Sequence, residues 1–119
     1  MEKINKIQVS ANIKIPEGKL EEFKQLAIEC MKQTRDKDKG TLRYDWFISR
    51  DQTECEVREE YKNSETFIEH MVNLGQILTK LFNEFPMDRL AVYGDLSTQL
   101  QEMIKRSEPK LYSFFQGLE

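Results

Sequence analysis

Residues 40–70, GTLRYDWFISRDQTECEVREEYKNSETFIEH, hold two alternating patterns joined by a polar turn and followed directly by a helix start. In the first pattern Leu42, Tyr44, Trp46 and Ile48 share one parity, and Thr41, Arg43, Asp45 and Ser49 share the other. That period of two predicts a strand with one buried face. Phe47 breaks the alternation and is expected to face a helix or a partner subunit. In the second pattern Cys55, Val57, Glu59 and Tyr61 lie on one side, with Glu54, Glu56, Arg58 and Glu60 opposite. Only residues 50–53 separate the two, so they form an antiparallel hairpin; a parallel return needs a long crossover. Glu59 is out of place on its face, because a carboxylate among apolar neighbours must be solvated, paired or used.

Outward from the hairpin, residues 6–15 alternate with Ile7, Val9, Ala11, Ile13 and Ile15 on one side, which predicts another strand. Pro16 can open a helix at low cost, so a helix is expected from about Glu17. Its packing stripe is Phe23, Leu26, Ala27, Cys30, Met31 and Thr34. The charged run RDKDKG, residues 35–40, reads as a solvated connection that ends at Gly40. Beyond Tyr61, Asn63 or Ser64 caps a second helix with the stripe Phe67, Met71, Leu74, Leu78, Leu81 and Phe82. Gly75 weakens that helix without establishing a bend, and Phe85–Pro86 stop it. A short strand over residues 88–93, a small helix over residues 96–104 and an apolar tail, KLYSFFQGLE, complete the chain.

The order strand, helix, strand, strand, helix, strand gives an α+β fold, a ferredoxin-like β-α-β-β-α-β unit with helices on one face of an antiparallel sheet. The 119 residues suit one domain, residues 1–119. Residues 105–119 form a C-terminal extension expected to pack on the domain or on a partner subunit, since its leucines and aromatic rings would be sticky if exposed. Apolar side chains on both parities of the strands predict a sheet-to-sheet homodimer.

A 39% hydrophobic and 33% charged composition describes a soluble globular chain, and no apolar run approaches the roughly 18 residues of a membrane span. The start MEKINKIQVS lacks a secretory signal pattern, so a cytoplasmic location is expected. The net charge of -3 comes from mixed charges without a basic stripe, which argues against nucleic acid as a partner. Cys30 and Cys55 read as buried free thiols rather than a disulfide or a metal pair. Phosphate-binding glycine loops, zinc-ligand clusters and calcium loops are absent from the sequence.

The stretches IKIPEGK at 13–19, GTLRY at 40–44, EEY at 59–61 followed by His70, and VYGD at 92–95 resemble the antibiotic biosynthesis monooxygenase-like family of dimeric α+β barrels. The resemblance covers roughly residues 4–104, and the aromatic tail is similar to the extra terminal strand of some members. It implies a homodimer with facing sheets and a small pocket between each sheet and its helices. Some relatives oxidise phenols or quinols without flavin, haem or metal, others degrade haem, and others have no established reaction.

Carried onto this chain, the resemblance places His70 and Glu59 in catalytic roles, with Tyr44, Trp46 and Tyr61 shaping a site for a small aromatic or hydrophobic molecule. His70, the one histidine, would take a proton from an electron-rich phenol while Glu59 orients the histidine or the substrate. No cofactor and no metal is implied. The other reading of His70 is a polar residue at the stripe's margin, bonded to Glu59 or backbone. Glu59 has its own structural reading, paired with Arg43, Arg58 or Lys62. The expected function is a cofactor-independent quinol or phenol monooxygenase, and the alternative is a noncatalytic homodimer that binds a small ligand. Haem degradation fits less well, because Tyr61 stands where such relatives carry a tryptophan and Asn5 and Asn12 give no secure match to their asparagine.

Overall fold

The computed structural model describes residues 5–118; residues 1–4 and 119, the two ends of the expected single domain, lie outside the described residues. The elements are β1 (Ile7–Lys14), α1 (Leu20–Lys37), β2 (Thr41–Ile48), β3 (Glu54–Tyr61), α2 (Ser64–Asn73), α3 (Gly75–Glu84), β4 (Met87–Tyr93), α4 (Thr98–Ile104) and β5 (Lys110–Tyr112). They form one sheet in the order β2-β3-β1-β4-β5, antiparallel except for the β4–β5 pair. This is the expected α+β, ferredoxin-like arrangement with one strand added at the β4 edge.

One face of the sheet carries Ile7, Val9, Ala11, Ile13, Val57 and Val92 beneath the helices, all nearly inaccessible. Two apolar clusters fill the space. One joins Ile13, Phe23, Leu26, Val57, Leu74, Leu81 and Phe85; the other joins Ile7, Val9, Tyr61, Phe67, Leu100 and Ile104. The opposite face is open and mostly polar: Ser10 and Asn12 on β1 bond to Glu54 and Glu56 on β3, and Glu56 pairs with Arg89 on β4. Apolar contributions there are few, chiefly Phe47 and the stacked Tyr93–Tyr112 pair.

Four local expectations change. First, α1 starts at Leu20 rather than near Glu17, because Lys19 N–H closes a turn on Pro16 and Gly18 has φ +81, which a helix cannot include. Second, the single helix expected over residues 64–84 is two, since Leu74 leaves helical geometry (φ -101, ψ 12) and buries its side chain completely. Third, Leu42 leaves the inner face of β2: the register shifts between Thr41 and Arg43, and Leu42 is 55% exposed while Tyr44 and Trp46 stay inside. Fourth, the 35–40 run is not wholly solvated, as the Asp38 side chain is only 1% exposed.

The tail adds β5 alongside β4, with Gly94 N–H donating to the Tyr112 carbonyl at 2.8 Å. Beyond it Phe114, Phe115 and Leu118 are exposed. None of the described helices is long and apolar enough to cross a membrane.

Candidate functional site

The two core clusters do not meet fully, and the gap between them is a cavity of about 140 Å³. Val9, Ala11 and Val57 form its sheet side, while Leu78, Leu81 and Phe82 of α3 form the opposing wall. Met103 on α4 both lines the cavity and is 44% exposed, so it marks where the cavity reaches the surface. Against this apolar lining stand Glu59, His70 and the Tyr44 ring.

His70 is placed by α2, whose start is tightly specified. Asn63 accepts from Thr66 N–H, and the Thr66 hydroxyl accepts from Asn63 N–H, a reciprocal cap. Thr66 in turn packs on Gly40, where an added Cβ would lie 2.1 Å from its methyl group. This close approach lets the chain turn from α1 into β2 beside α2 and carries Asp38 under the helix. Asp38 Oδ2 lies 2.6 Å from His70 Nδ1 and accepts from the Thr41 hydroxyl at 2.7 Å, while Oδ1 accepts from Asn73 Nδ2 at 2.8 Å.

A carboxylate on Nδ1 fixes that nitrogen as the protonated one, leaving Nε2 as the acceptor. Among the described residues Nε2 has no hydrogen-bond partner, and it is not sealed from solvent-sized space. The histidine is 2% exposed, and it lines the cavity. The arrangement is therefore a base aimed into an apolar pocket and held from behind by a buried carboxylate.

Glu59 is not the histidine's orienting group, since Asp38 occupies Nδ1. Its Oε1 accepts from the Tyr61 hydroxyl, and among the described residues it forms no ion pair with Arg43, Arg58 or Lys62. It is partly buried and lines the cavity. Burial pushes its carboxyl above the ordinary value, while the nearby His70 and the Tyr61 hydroxyl pull the other way.

The structure brings four of the five expected residues to the cavity: His70, Glu59, Tyr44 and Trp46. Tyr61 stands behind Glu59 instead, fully buried and stacked on Phe67 with ring centroids 4.6 Å apart. Tyr44 packs edge-on against both Trp46 and His70, and burial first, then the charge of Glu59, raises its phenol pKa well above the ordinary value. Among the described residues the Trp46 indole N–H has no acceptor, and it has no solvent access, so Trp46 offers the pocket its ring rather than a donor. Cys30 and Cys55 are free and buried, and burial pushes their thiols up to about 12 and about 11, far from a reactive thiolate.

Asp38 is the site residue that sequence reading missed. It lies in a charged run without periodicity, and its partners His70 and Asn73 are 32 and 35 residues away. Among the described residues no cluster of three or more His, Cys, Asp or Glu side chains has the geometry to hold a metal ion.

Solved structures share this fold. MupZ from Pseudomonas fluorescens superposes with a TM-score of 0.86 at 21% identity, covering 97% of this chain and 94% of that one. A conserved protein from Methanosarcina mazei gives a TM-score of 0.67 at 20% identity, with 79% and 96% covered. A candidate antibiotic biosynthesis monooxygenase from Nitrosomonas europaea gives 0.64 at 19% identity, with 79% and 93% covered. Comparison with curated proteins gives no sequence match. The sequence profile for antibiotic biosynthesis monooxygenase matches residues 7–73, the part of the chain that builds β1 through α2 and carries Asp38, Glu59 and His70. With more than half its length matched and the sheet and helices in the same order, the chain belongs to the antibiotic biosynthesis monooxygenase family.

Proposed function

We propose that the chain is a cofactor-independent monooxygenase acting on a phenol or quinol with a single ring. The observation that carries this reading is His70 Nε2, open to an apolar cavity and backed by buried Asp38. An apolar cavity of 150 Å³ in another protein holds benzene. The 140 Å³ here therefore suits one six-membered ring, between the Trp46 and Tyr44 rings and the α3 wall. Haem, a four-pyrrole macrocycle, is far too large for it. Removal of the phenolic proton by His70 leaves an electron-rich anion that can reduce oxygen. One oxygen atom then enters the ring as a carbonyl and the other leaves as water, the ring itself supplying the electrons. Glu59 holds the ring's second oxygen in a quinol substrate.

Oxygen uptake with a panel of one-ring phenols and hydroquinones tests the reading. The folded protein should exceed a no-protein control, and His70→Ala should lower the rate about 100-fold or more. No uptake and no quinone product across the panel overturns the enzyme reading. The second reading, a noncatalytic binder, is favoured by the mainly apolar lining. It predicts saturable quenching of Trp46, the one tryptophan, by the same phenols without turnover.

The functional unit we infer is a homodimer joined through the open sheet face. Buried Asn12 Oδ1 has no donor there among the described residues, and half-exposed Phe47, Tyr93 and Tyr112 share that face. Light scattering should give twice the chain mass at micromolar concentration, and a monomer with an intact core would contradict it.

A further inference from the structure

In the proposed oxidation His70 is the proton acceptor and Glu59 only holds a quinol's second oxygen, which leaves the proton-donating capacity of the Glu59–Tyr61 pair unused. A carboxyl on the apolar side of β3, without a Lys or Arg partner among the described residues and lining the cavity, is costly to keep. The Tyr61 hydroxyl donates to Oε1, so the carboxyl's own proton, when present, belongs on Oε2. A carboxylic acid in an apolar cavity is a strong hydrogen-bond donor to an oxygen that gains negative charge. Burial shifts Glu59 toward that protonated form. Acid and base line the same one-ring cavity, and Tyr61 separates neither from it: its ring centroid lies 5.2 Å from that of His70, behind both groups.

We infer that this cavity also catalyses an oxygen-independent proton transfer at the carbon next to the carbonyl of a small cyclic ketone. His70 acts as the base, and Glu59, steadied by Tyr61, acts as the donor to the carbonyl oxygen. In the first step Nε2 takes the proton from the carbon between the carbonyl and a ring double bond. The C–H electron pair becomes the new C=C bond, and the carbonyl π pair moves onto oxygen, where Glu59 meets it. In the second step the proton returns from His70 to the far end of the resulting dienolate, and the oxygen recovers its double bond. A β,γ-unsaturated cyclic ketone becomes its α,β-unsaturated isomer; no atom is gained or lost, and no oxidant or reductant takes part. Asp38 is a positioning residue, holding the histidine tautomer that can accept.

The test uses the whole chain with cyclohex-3-enone in deuterated buffer under argon, followed by proton NMR. Wild type should exchange the proton at the carbon between the carbonyl and the double bond, and move the double bond, about 100-fold faster than buffer. His70→Gln and Glu59→Gln, each shown to be folded by circular dichroism, should lose most of that acceleration. Asp38→Asn should move the pH profile of the rate, which a merely structural role would not do. Phenol, planar like the dienolate and sized for the cavity, should inhibit competitively, which reads out the site even if a variant fails to fold. A wild-type rate equal to buffer, retention of the rate in folded His70→Gln, or indifference to phenol overturns the inference. Admitting oxygen should leave the isomerisation rate unchanged. Oxygen uptake and double-bond migration are thus scored separately, and either activity can fail without the other.

Discussion

Glu56 and Glu59 stand three positions apart on β3, on opposite faces of the same sheet, and lead different lives. On the open face Glu56 accepts from Ser10 and Asn12 and pairs with Arg89, while its neighbour Glu54 accepts from Asn12 and Lys14. Hydrogen bonds from Asn12 and Lys14 hold the Glu54 carboxyl below its ordinary value. Under the helices Glu59 has one hydroxyl, a nearby histidine and an apolar cavity, and its carboxyl is held above that value. Charge on one face is part of a hydrogen-bonded lattice. On the other it is kept against its own solvation, the condition under which a carboxyl becomes chemically useful.

The contrast breaks most easily through the core. Phe85, fully buried and edge-on to Phe23 at 5.2 Å, should cost about 3–5 kcal/mol when truncated to alanine. Phe47→Ala on the open face should stay within about 0.5 kcal/mol for the isolated chain. Urea denaturation of both variants measures the difference, and equal losses would mean that the open face is covered in solution.

Next comes Gly40→Ala, which drives a methyl group into Thr66 at 2.1 Å and disturbs both the α2 cap and the route of Asp38. A loss of about 1–3 kcal/mol is expected. Loss of the Asp38–His70 contact should also appear as loss of the downfield His70 Nδ1–H proton NMR signal. An unchanged signal would show that Asp38 is placed by something other than this approach.

A subtler pair compares carboxyls directly. The folded pKa of Glu59 lies above its ordinary 4.5, so the folded state binds the proton more tightly than the unfolded chain. Its contribution to stability is fully present below 4.5 and is lost as pH rises through the folded value. Glu59→Gln should therefore raise the melting temperature at neutral pH, with the gain shrinking in acid. For Glu54 the folded pKa is lowered, so its contribution is present above 4.5 and lost as pH falls through the folded value. Glu54→Gln should lower the melting temperature slightly at neutral pH and have no effect in acid. Melting curves across pH with the same sign for both variants would erase the distinction between the faces.

The smallest effect is expected from truncation after Tyr112, which leaves β5 paired with β4. Phe114, Phe115 and Leu118 are exposed, so the isolated chain should change by no more than about 0.5 kcal/mol. A larger loss, accompanied by a change in mass by light scattering, would show that Phe114 and Phe115 cover surface on a second copy.

Much of this contrast is legible in the sequence. Period-two alternation gave the faces of β1 and β3, and Glu59 declared itself by sitting on the wrong parity. His70 was visible as the one histidine on an apolar stripe. What alternation does not carry is a change of register: Leu42 followed the pattern and still left the core at a bulge. The apolar content of the open face is overestimated for a different reason: most positions there are polar and satisfied by one another. Asp38 was hidden because its burial is created by Gly40, Thr66 and α2 together, a convergence of three segments that no local window contains.

The interruption at Leu74 divides labour along what would otherwise be a single rod. The half before it bears the base and Asn73, which both bond to the Asp38 carboxylate; the half after it bears Leu78, Leu81 and Phe82, which shape the space a ring must occupy. Substitutions on the second half can re-cut the chamber for a different ring substituent without re-aiming Nε2. A lineage with this joint can change what it accepts while keeping how it reacts, and a designer can explore the same three positions as a library.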